Sequence, residues 1–264
     1  MAWLARRSAS LSSSGAIAAC VVGTLSAAAG WGWAALLIAW FVVSSALTKL
    51  GAAGKARRTA ATLPDAAPRT ATQVWANGGV FALAAFLASS IGDARLGVAA
   101  VGALAAAAAD TWATEIGTLW GGRPRSIVSL APLEPGLSGG VTWMGTLGGV
   151  AGAAAVAAAA MLLPEVSALL EADGRGFSTA ALTLTAAGVA GGLADSLLGA
   201  TLQTRRRCPR CARFTERARH DCGTPTEAAG GWRWMTNDTV NLLATFIGAG
   251  AAVALLHLTS PAVP

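Results

Sequence analysis

Residues 96–120 read LGVAAVGALAAAAADTWATEIGTLW. At about 1.5 Å of rise per residue, a helix of this length spans about 37 Å, more than the roughly 30 Å of hydrocarbon in a bilayer. The stretch is apolar on every face and rich in alanine. Neither a soluble amphipathic helix nor a strand fits it. Two acids, Asp110 and Glu115, interrupt the run. Near the centre of a membrane helix each such acid costs about 2.5–3.5 kcal/mol or more, so this one segment sets both the fold and the search for a site.

The rest of the chain agrees. Of its 264 residues 54% are hydrophobic and only 12% charged, with a mean hydropathy of +0.56. A soluble domain carries about 25% charged residues, and disorder demands the opposite balance. Six further apolar stretches lie at about 11–29, 32–50, 74–91, 143–163, 178–203 and 236–258. The sequence predicts an all-α, polytopic integral membrane helical bundle of about seven transmembrane helices. It forms a single membrane domain over 1–264, with a basic Cys/His loop at 204–233. The first two spans divide at Gly30-Trp31-Gly32-Trp33, whose tryptophans suit an interface. Arg6-Arg7, the apolar run and Ser26-Ala27-Ala28-Ala29 also suit a signal peptide. That alternative leaves six spans with every later loop on the same side.

The chain has 19 Lys and Arg against 13 Asp and Glu, a net charge of +6. With the amino terminus in the cytoplasm, Arg6, Arg7, Lys49, Lys55, Arg57, Arg58, Arg69, Arg123, Arg125, the arginines of 205–219 and Arg233 share that side. Only Arg95 and Arg175 fall opposite, where Glu165, Glu171 and Asp173 also lie. This bias predicts the amino terminus in and the carboxyl terminus out, in the inner (cell) membrane. The basic excess is then a topological label and no argument for a nucleic-acid partner. Gly145/Gly149, Gly148/Gly152 and Gly188/Gly192 follow the small-xxx-small spacing that lets helices approach closely, within the chain or between copies.

Four acids fall inside spans: Asp110, Glu115, Asp195 and Asp238. Asp238 stands near a helix start, where an interfacial acid is ordinary. The others are deep, with Glu115 about 7 Å, Asp110 about 15 Å and Asp195 about 12 Å from the cytoplasmic ends of their spans. Asn77, Asn237 and Asn241 belong to the same half of the membrane, as do Gln73 and the Ser44, Ser45, Thr48, Lys49 group. Oxygen ligands on several helices suit a hard divalent cation such as Mg²⁺, which favours carboxylates together with substrate phosphates. The flanking loops carry Lys49, Lys55, Arg57, Arg58, Arg123 and Arg125. The Gly136-Leu137-Ser138-Gly139-Gly140 stretch reads either as a backbone cradle for phosphate or as a flexible loop.

Between the last two spans, Cys208-Pro-Arg-Cys211 is followed by His220-Asp-Cys222. In a reducing cytoplasm this pattern reads as a structural zinc site. Redox pairing and free thiols are its alternatives.

Taken together, several ordered motifs resemble the DUF92 family, which includes transmembrane protein 19 and a plant phytyl-phosphate kinase. They are Ser45-Ala46-Leu47-Thr48-Lys49, Gln73-Val74-Trp75-Ala76-Asn77-Gly78, Ala109-Asp110-Thr111-Trp112-Ala113-Thr114-Glu115-Ile116-Gly117, Pro124-Arg125, Gly139-Gly140-Val141, Ala194-Asp195-Ser196-Leu197-Leu198-Gly199-Ala200 with Gln203, and Trp234 with Asn237-Asp238 and Asn241. The resemblance covers about residues 30–250. It implies transfer of a phosphoryl group from a nucleoside triphosphate, CTP or ATP, to a phytyl, geranylgeranyl or farnesyl monophosphate. On that reading Asp110, Asp195 and Asp238 hold Mg²⁺, with Glu115 as a further ligand or acceptor. Lys49 and Arg125, with Lys55 and Arg58, bind phosphates; Asn77, Asn237, Asn241 and Gln203 orient them, beside Gly139 and Gly140. A CTP-dependent prenol kinase or a lipid-phosphate cytidylyltransferase is the nearest rival. A cation- or proton-coupled secondary transporter is the rival of a different class.

Overall fold

The computed structural model describes residues 5–6, 10–64, 67–170 and 176–258; Arg7, Glu171, Asp173 and Arg175 lie outside them. The bundle is built, in chain order, from α1 (Ser13–Ala29), α2 (Trp31–Lys49), α3 (Ala52–Thr59), α4 (Ala71–Ile91), α5 (Ala94–Trp120), α6 (Trp143–Leu162), α7 (Pro164–Leu170), α8 (Phe177–Thr201) and α9 (Asn237–Leu258). Six of them, α2, α4, α5, α6, α8 and α9, are long and apolar enough to cross a membrane, and α1 is a shorter apolar helix of 17 residues. The protein is a polytopic helical membrane bundle.

Local chemistry fixes the helix ends. Ser12 caps α1 by accepting from Gly15 N at 3.0 Å. Thr70 and Gln73 form a reciprocal capping box, so α4 starts at Ala71, three residues before its apolar run. Asp93 caps α5 and Thr142 caps α6. The α1–α2 break falls at Gly30, whose φ of 138° is closed to side-chain-bearing residues. There Glu165 accepts from Gly32 N at 2.7 Å, tying the break to the start of α7. α1 packs along α4 and buries Val22 and Ser26, so it is an integral part of the bundle.

The segment that reads as the deciding span is the central helix. α5 is packed against α4, α6, α8 and α9, and residues 97–109, nearly all Ala, Gly and Val, are almost entirely buried. In lipid there is no water to drive apolar faces together, so close backbone approach and dispersion do the work. The glycine repeats serve this packing inside the chain. A Cβ on Gly148 would lie 2.9 Å from Trp112 O, and one on Gly152 2.7 Å from Ala108 O, both on α5. On α8, a Cβ at Gly188 would meet Ala105 Cβ at 2.6 Å and Ala153 Cβ at 2.9 Å. Gly188→Ala therefore forces α8 away from α5 and α6. A loss of about 1–3 kcal/mol is expected, read as a lower melting temperature in detergent; an unchanged melt would show that the three helices separate freely.

Two features differ from the sequence expectation. Lys55, Arg57 and Arg58 lie on a short helix, α3, where a loop was expected. The loops also carry small sheets: β1 (Arg125–Ser126) with β2 (Gly140–Val141), and β3 (Arg206–Arg207) between β4 (Phe214–Thr215) and β5 (Glu227–Ala228). Backbone contacts join these segments at one end of the bundle. Leu11 bridges Arg69, and Glu216 N donates to Thr62 O at 2.8 Å. Thr204 N donates to Met235 O at 3.0 Å. Most of the cations therefore gather at this end, whereas Arg95 sits at the opposite end against Asp93.

Candidate functional site

Four helices converge on one recess. Asn77 of α4, Asp110 of α5, Asp195 of α8 and Asn241 of α9 line it together. Ala106, Ala107, Ala244 and Thr245 close the recess around them. The Asp110 and Asp195 carboxyls are within hydrogen-bonding reach of each other. One carboxylate oxygen, Asp195 Oδ2, is buried with no hydrogen-bond partner among the described residues. A buried acceptor without a donor is costly, and a cation or a donor at this position would relieve it.

The recess opens into a cavity of about 510 Å³. Its deep wall is apolar, formed by residues such as Val22, Leu37, Phe41, Val150 and Val189. Its outer end is polar and includes Arg58, Arg69, Ser138, Gly139 and Glu216. Trp40 also lines it, and its buried indole N–H has no partner among the described residues. The cavity therefore couples an apolar slot within the bundle to a charged mouth.

Glu115 sits beside this mouth in a network of its own. It accepts from Lys55 Nζ at 2.5 Å and from Thr48 Oγ1 at 2.7 Å. Lys55 is buried, and its remaining donors go to Leu47 O at 2.8 Å and Thr48 O at 2.9 Å. All three ammonium hydrogens thus have acceptors. Arg69 lies 5.7 Å from the Phe41 ring centroid; burial works against its charge and the Glu115 carboxylate supports it. Arg58 donates to Leu119 O at 3.0 Å and Gly122 O at 2.6 Å, so it caps the last turn of α5 while facing the cavity.

The glycine-rich loop has a defined shape. Gly139 has φ 80°, and its α-carbon faces the backbone of Ala200, leaving no room for a side chain. Ile127 N donates to Gly139 O at 3.0 Å, in register with the β1–β2 pair. Glu216 reaches this loop from the Cys/His segment, accepting from Ser138 N at 3.1 Å and from the Ser138 hydroxyl. Burial pushes the Glu216 carboxyl up, and the Ser138 donors oppose that shift.

The structure brings together only part of the residue set expected from sequence. Asp110, Glu115, Asp195, Asn77, Asn237, Asn241, Arg58, Gly139 and Gly140 line the cavity. Lys49 is exposed, and Asp238, on the first turn of α9, is half-buried; neither is among the lining residues. Arg125 instead donates to Leu130 O at 3.0 Å, and Gln203 is buried outside the cavity wall. Lys55 is tied to Glu115. Sequence reasoning did not select Arg69, Trp40 or Glu216, and it named Ser138 only as part of the glycine-rich stretch. Arg69 had one usable signal, its position just before the Thr70–Gln73 capping box at the cavity end of α4. Glu216 had none, because only the folded loop brings it to Ser138.

The profile of the family described as integral membrane protein DUF92 matches residues 1–249. The chain belongs to the DUF92 family. Among DUF92 relatives, Protein PGR of Arabidopsis thaliana is 33% identical over 210 residues, covering 74% of this chain and 72% of its own length. An uncharacterized membrane protein of Synechocystis is 30% identical over 238 residues, covering 87% of this chain and 76% of its own. One from Methanocaldococcus jannaschii is 31% identical over 207 residues, covering 78% and 80%. No solved structure matches this DUF92 chain.

Proposed function

We propose that this DUF92 protein is a magnesium-dependent kinase that converts a prenyl monophosphate to the diphosphate, with its polar mouth toward the cytoplasm. The observation that carries the reading is the Asp110–Asp195 pair, with its unpartnered buried oxygen, at the base of a cavity with an apolar wall and a cationic mouth. Two carboxylates and two amide side chains form a hard oxygen donor set that fits Mg²⁺. Asp238 lies outside the cavity lining, so the metal is assigned to Asp110 and Asp195. When bound, the metal would supply charge neutralisation across the transferring phosphates.

In the reaction, an oxygen of the lipid phosphate forms a bond to the γ-phosphorus as the bond from that phosphorus to the β-bridging oxygen breaks. A nucleoside diphosphate leaves. A phosphate monoester is already ionised at neutral pH, so no general base is required. The chain's own contribution is positioning and electrostatics. Arg69 and Arg58 meet phosphate charge at the mouth, Asn77, Asn237 and Asn241 orient the groups, and Gly139 and Gly140 allow the backbone to come close. The prenyl tail occupies the apolar slot.

The test is a product assay with purified protein, labelled ATP or CTP, and either a prenol or a prenyl monophosphate. Prenyl diphosphate formed from the monophosphate alone is the expected product. A CDP-lipid would reassign the chemistry to cytidylyl transfer, and phosphorylation of the free prenol would reassign it to a prenol kinase. Substrate movement in liposomes without nucleotide turnover would replace the reading with transport.

A further inference from the structure

The segment between α8 and α9 carries chemistry that the reaction above leaves unused. Cys208, Cys211, His220 and Cys222 bring one ligand atom each to within 4.8 Å of one another. Cys208 Sγ and Cys222 Sγ are 3.6 Å apart, and His220 Nδ1 is 3.3 Å from Cys222 Sγ. Four ligands around zinc, with bonds of about 2.3 Å to sulfur, are separated by about 3.8 Å. The observed spacings match that shell and are far longer than the roughly 2.05 Å of a disulfide. Cys211 N donates to Cys208 Sγ at 3.5 Å, a main-chain contact that folds the Cys208–Cys211 turn back onto the first sulfur.

Two further observations point the same way. Ala212, immediately after Cys211, has φ 55° with its N–H bonded to Cys208 O at 2.9 Å. A non-glycine residue in the left-handed region is strained and persists where its surroundings over-determine it. The segment also has little core of its own. Residues 204–233 contain eight arginines, and Phe214 and Trp232 are exposed. A piece this small and this polar needs a staple to hold a three-stranded sheet.

We infer that Cys208, Cys211, His220 and Cys222 bind a single Zn²⁺ in a closed, four-ligand site, and that this ion holds Glu216 on the glycine-rich loop at the cavity mouth. The path between them is short. From Cys211 the chain enters β4, where Thr215 Oγ1 donates to Thr62 O at 3.0 Å and Glu216 N to Thr62 O at 2.8 Å. The Glu216 carboxylate then takes the amide and hydroxyl of Ser138. With four protein ligands the ion has no open position, so its role is to fix structure. This inference stands whether or not the protein is a kinase.

The experiment uses the full-length protein in detergent. Elemental analysis is expected to give one zinc per chain, released stoichiometrically by a thiol-directed mercurial. Cobalt replacement should give the sulfur-to-metal charge-transfer and intense visible bands of a tetrahedral thiolate site. Cys208→Ser combined with Cys211→Ser should lose the metal. Stripping should raise hydrogen exchange at residues 136–140 and trypsin cleavage within 204–233, the latter by about tenfold or more. Free thiols that bind neither zinc nor cobalt, an oxidised cysteine pair in protein kept under reducing conditions, or zinc retained by the double variant would overturn the site. Unchanged exchange at 136–140 after the wild-type ion is removed would overturn the coupling to Glu216, and this arm does not depend on any variant folding.

Discussion

Asp110→Asn and Asp195→Asn are each expected to reduce nucleotide turnover by about 10²–10³-fold, with the melting temperature in detergent unchanged or raised. The two effects have separate origins. Each substitution keeps the size of the side chain and removes a carboxylate oxygen from the donor set that meets Asn77 and Asn241 in the recess. Removing a group that acts on developing phosphate charge in a water-poor site is worth about 2.7–4 kcal/mol or more of barrier. The same change removes one of the two acids from the low-dielectric interior, where ionised carboxylates are expensive. Turnover with a prenyl monophosphate and thermal melting should therefore move independently. Wild-type turnover in both variants would eliminate the proposed metal site; a large drop in melting temperature would instead mark the pair as structural glue.

The second large effect concerns Lys55 and Glu115, which are 10% and 17% exposed and 2.5 Å apart. Lys55→Met or Glu115→Gln alone leaves its partner charged and buried, and breaking such a pair from one side costs about 3–5 kcal/mol. The double variant should recover most of that loss, because no charge is then left without its partner. SDS-induced unfolding of the four proteins completes the cycle. Single variants as stable as wild type would show that water or lipid head groups already screen the pair. Lys55 also ties α3 to the end of α2 through Leu47 O and Thr48 O, so its loss should free α3 from the cavity edge.

Most of the architecture was legible in the sequence because a bilayer allows few solutions. A run such as residues 96–120 can only be a spanning helix, and its neighbours follow from length and composition. The Asp110 and Asp195 pairing was legible for a related reason: acids in so apolar a chain stand out. The mouth of the site was much harder to read. Lys49 and Lys55 look equivalent as loop cations, but α3 turns Lys55 inward onto Glu115 and leaves Lys49 exposed. Arg69 contributes to the mouth and Arg125 does not, a difference set by the α4 capping box and the β1–β2 pairing. Glu216 depends on contacts with Thr62 and Ser138, more than 70 residues away in sequence. Period and composition carry no information at that range.

The Asp110–Asp195 pairing also has a consequence for how the protein is made. Asp110 leaves the ribosome 85 residues ahead of Asp195, an interval of about 4–17 s at about 5–20 residues per second. Throughout that time α5 is a membrane segment whose deep acid lacks the neighbour that completes its recess. During that interval the acid costs about 2.5–3.5 kcal/mol in lipid, and Asn77 of α4 is the recess partner already made. The recess is complete only when α8 and α9, the last two spanning helices, have followed.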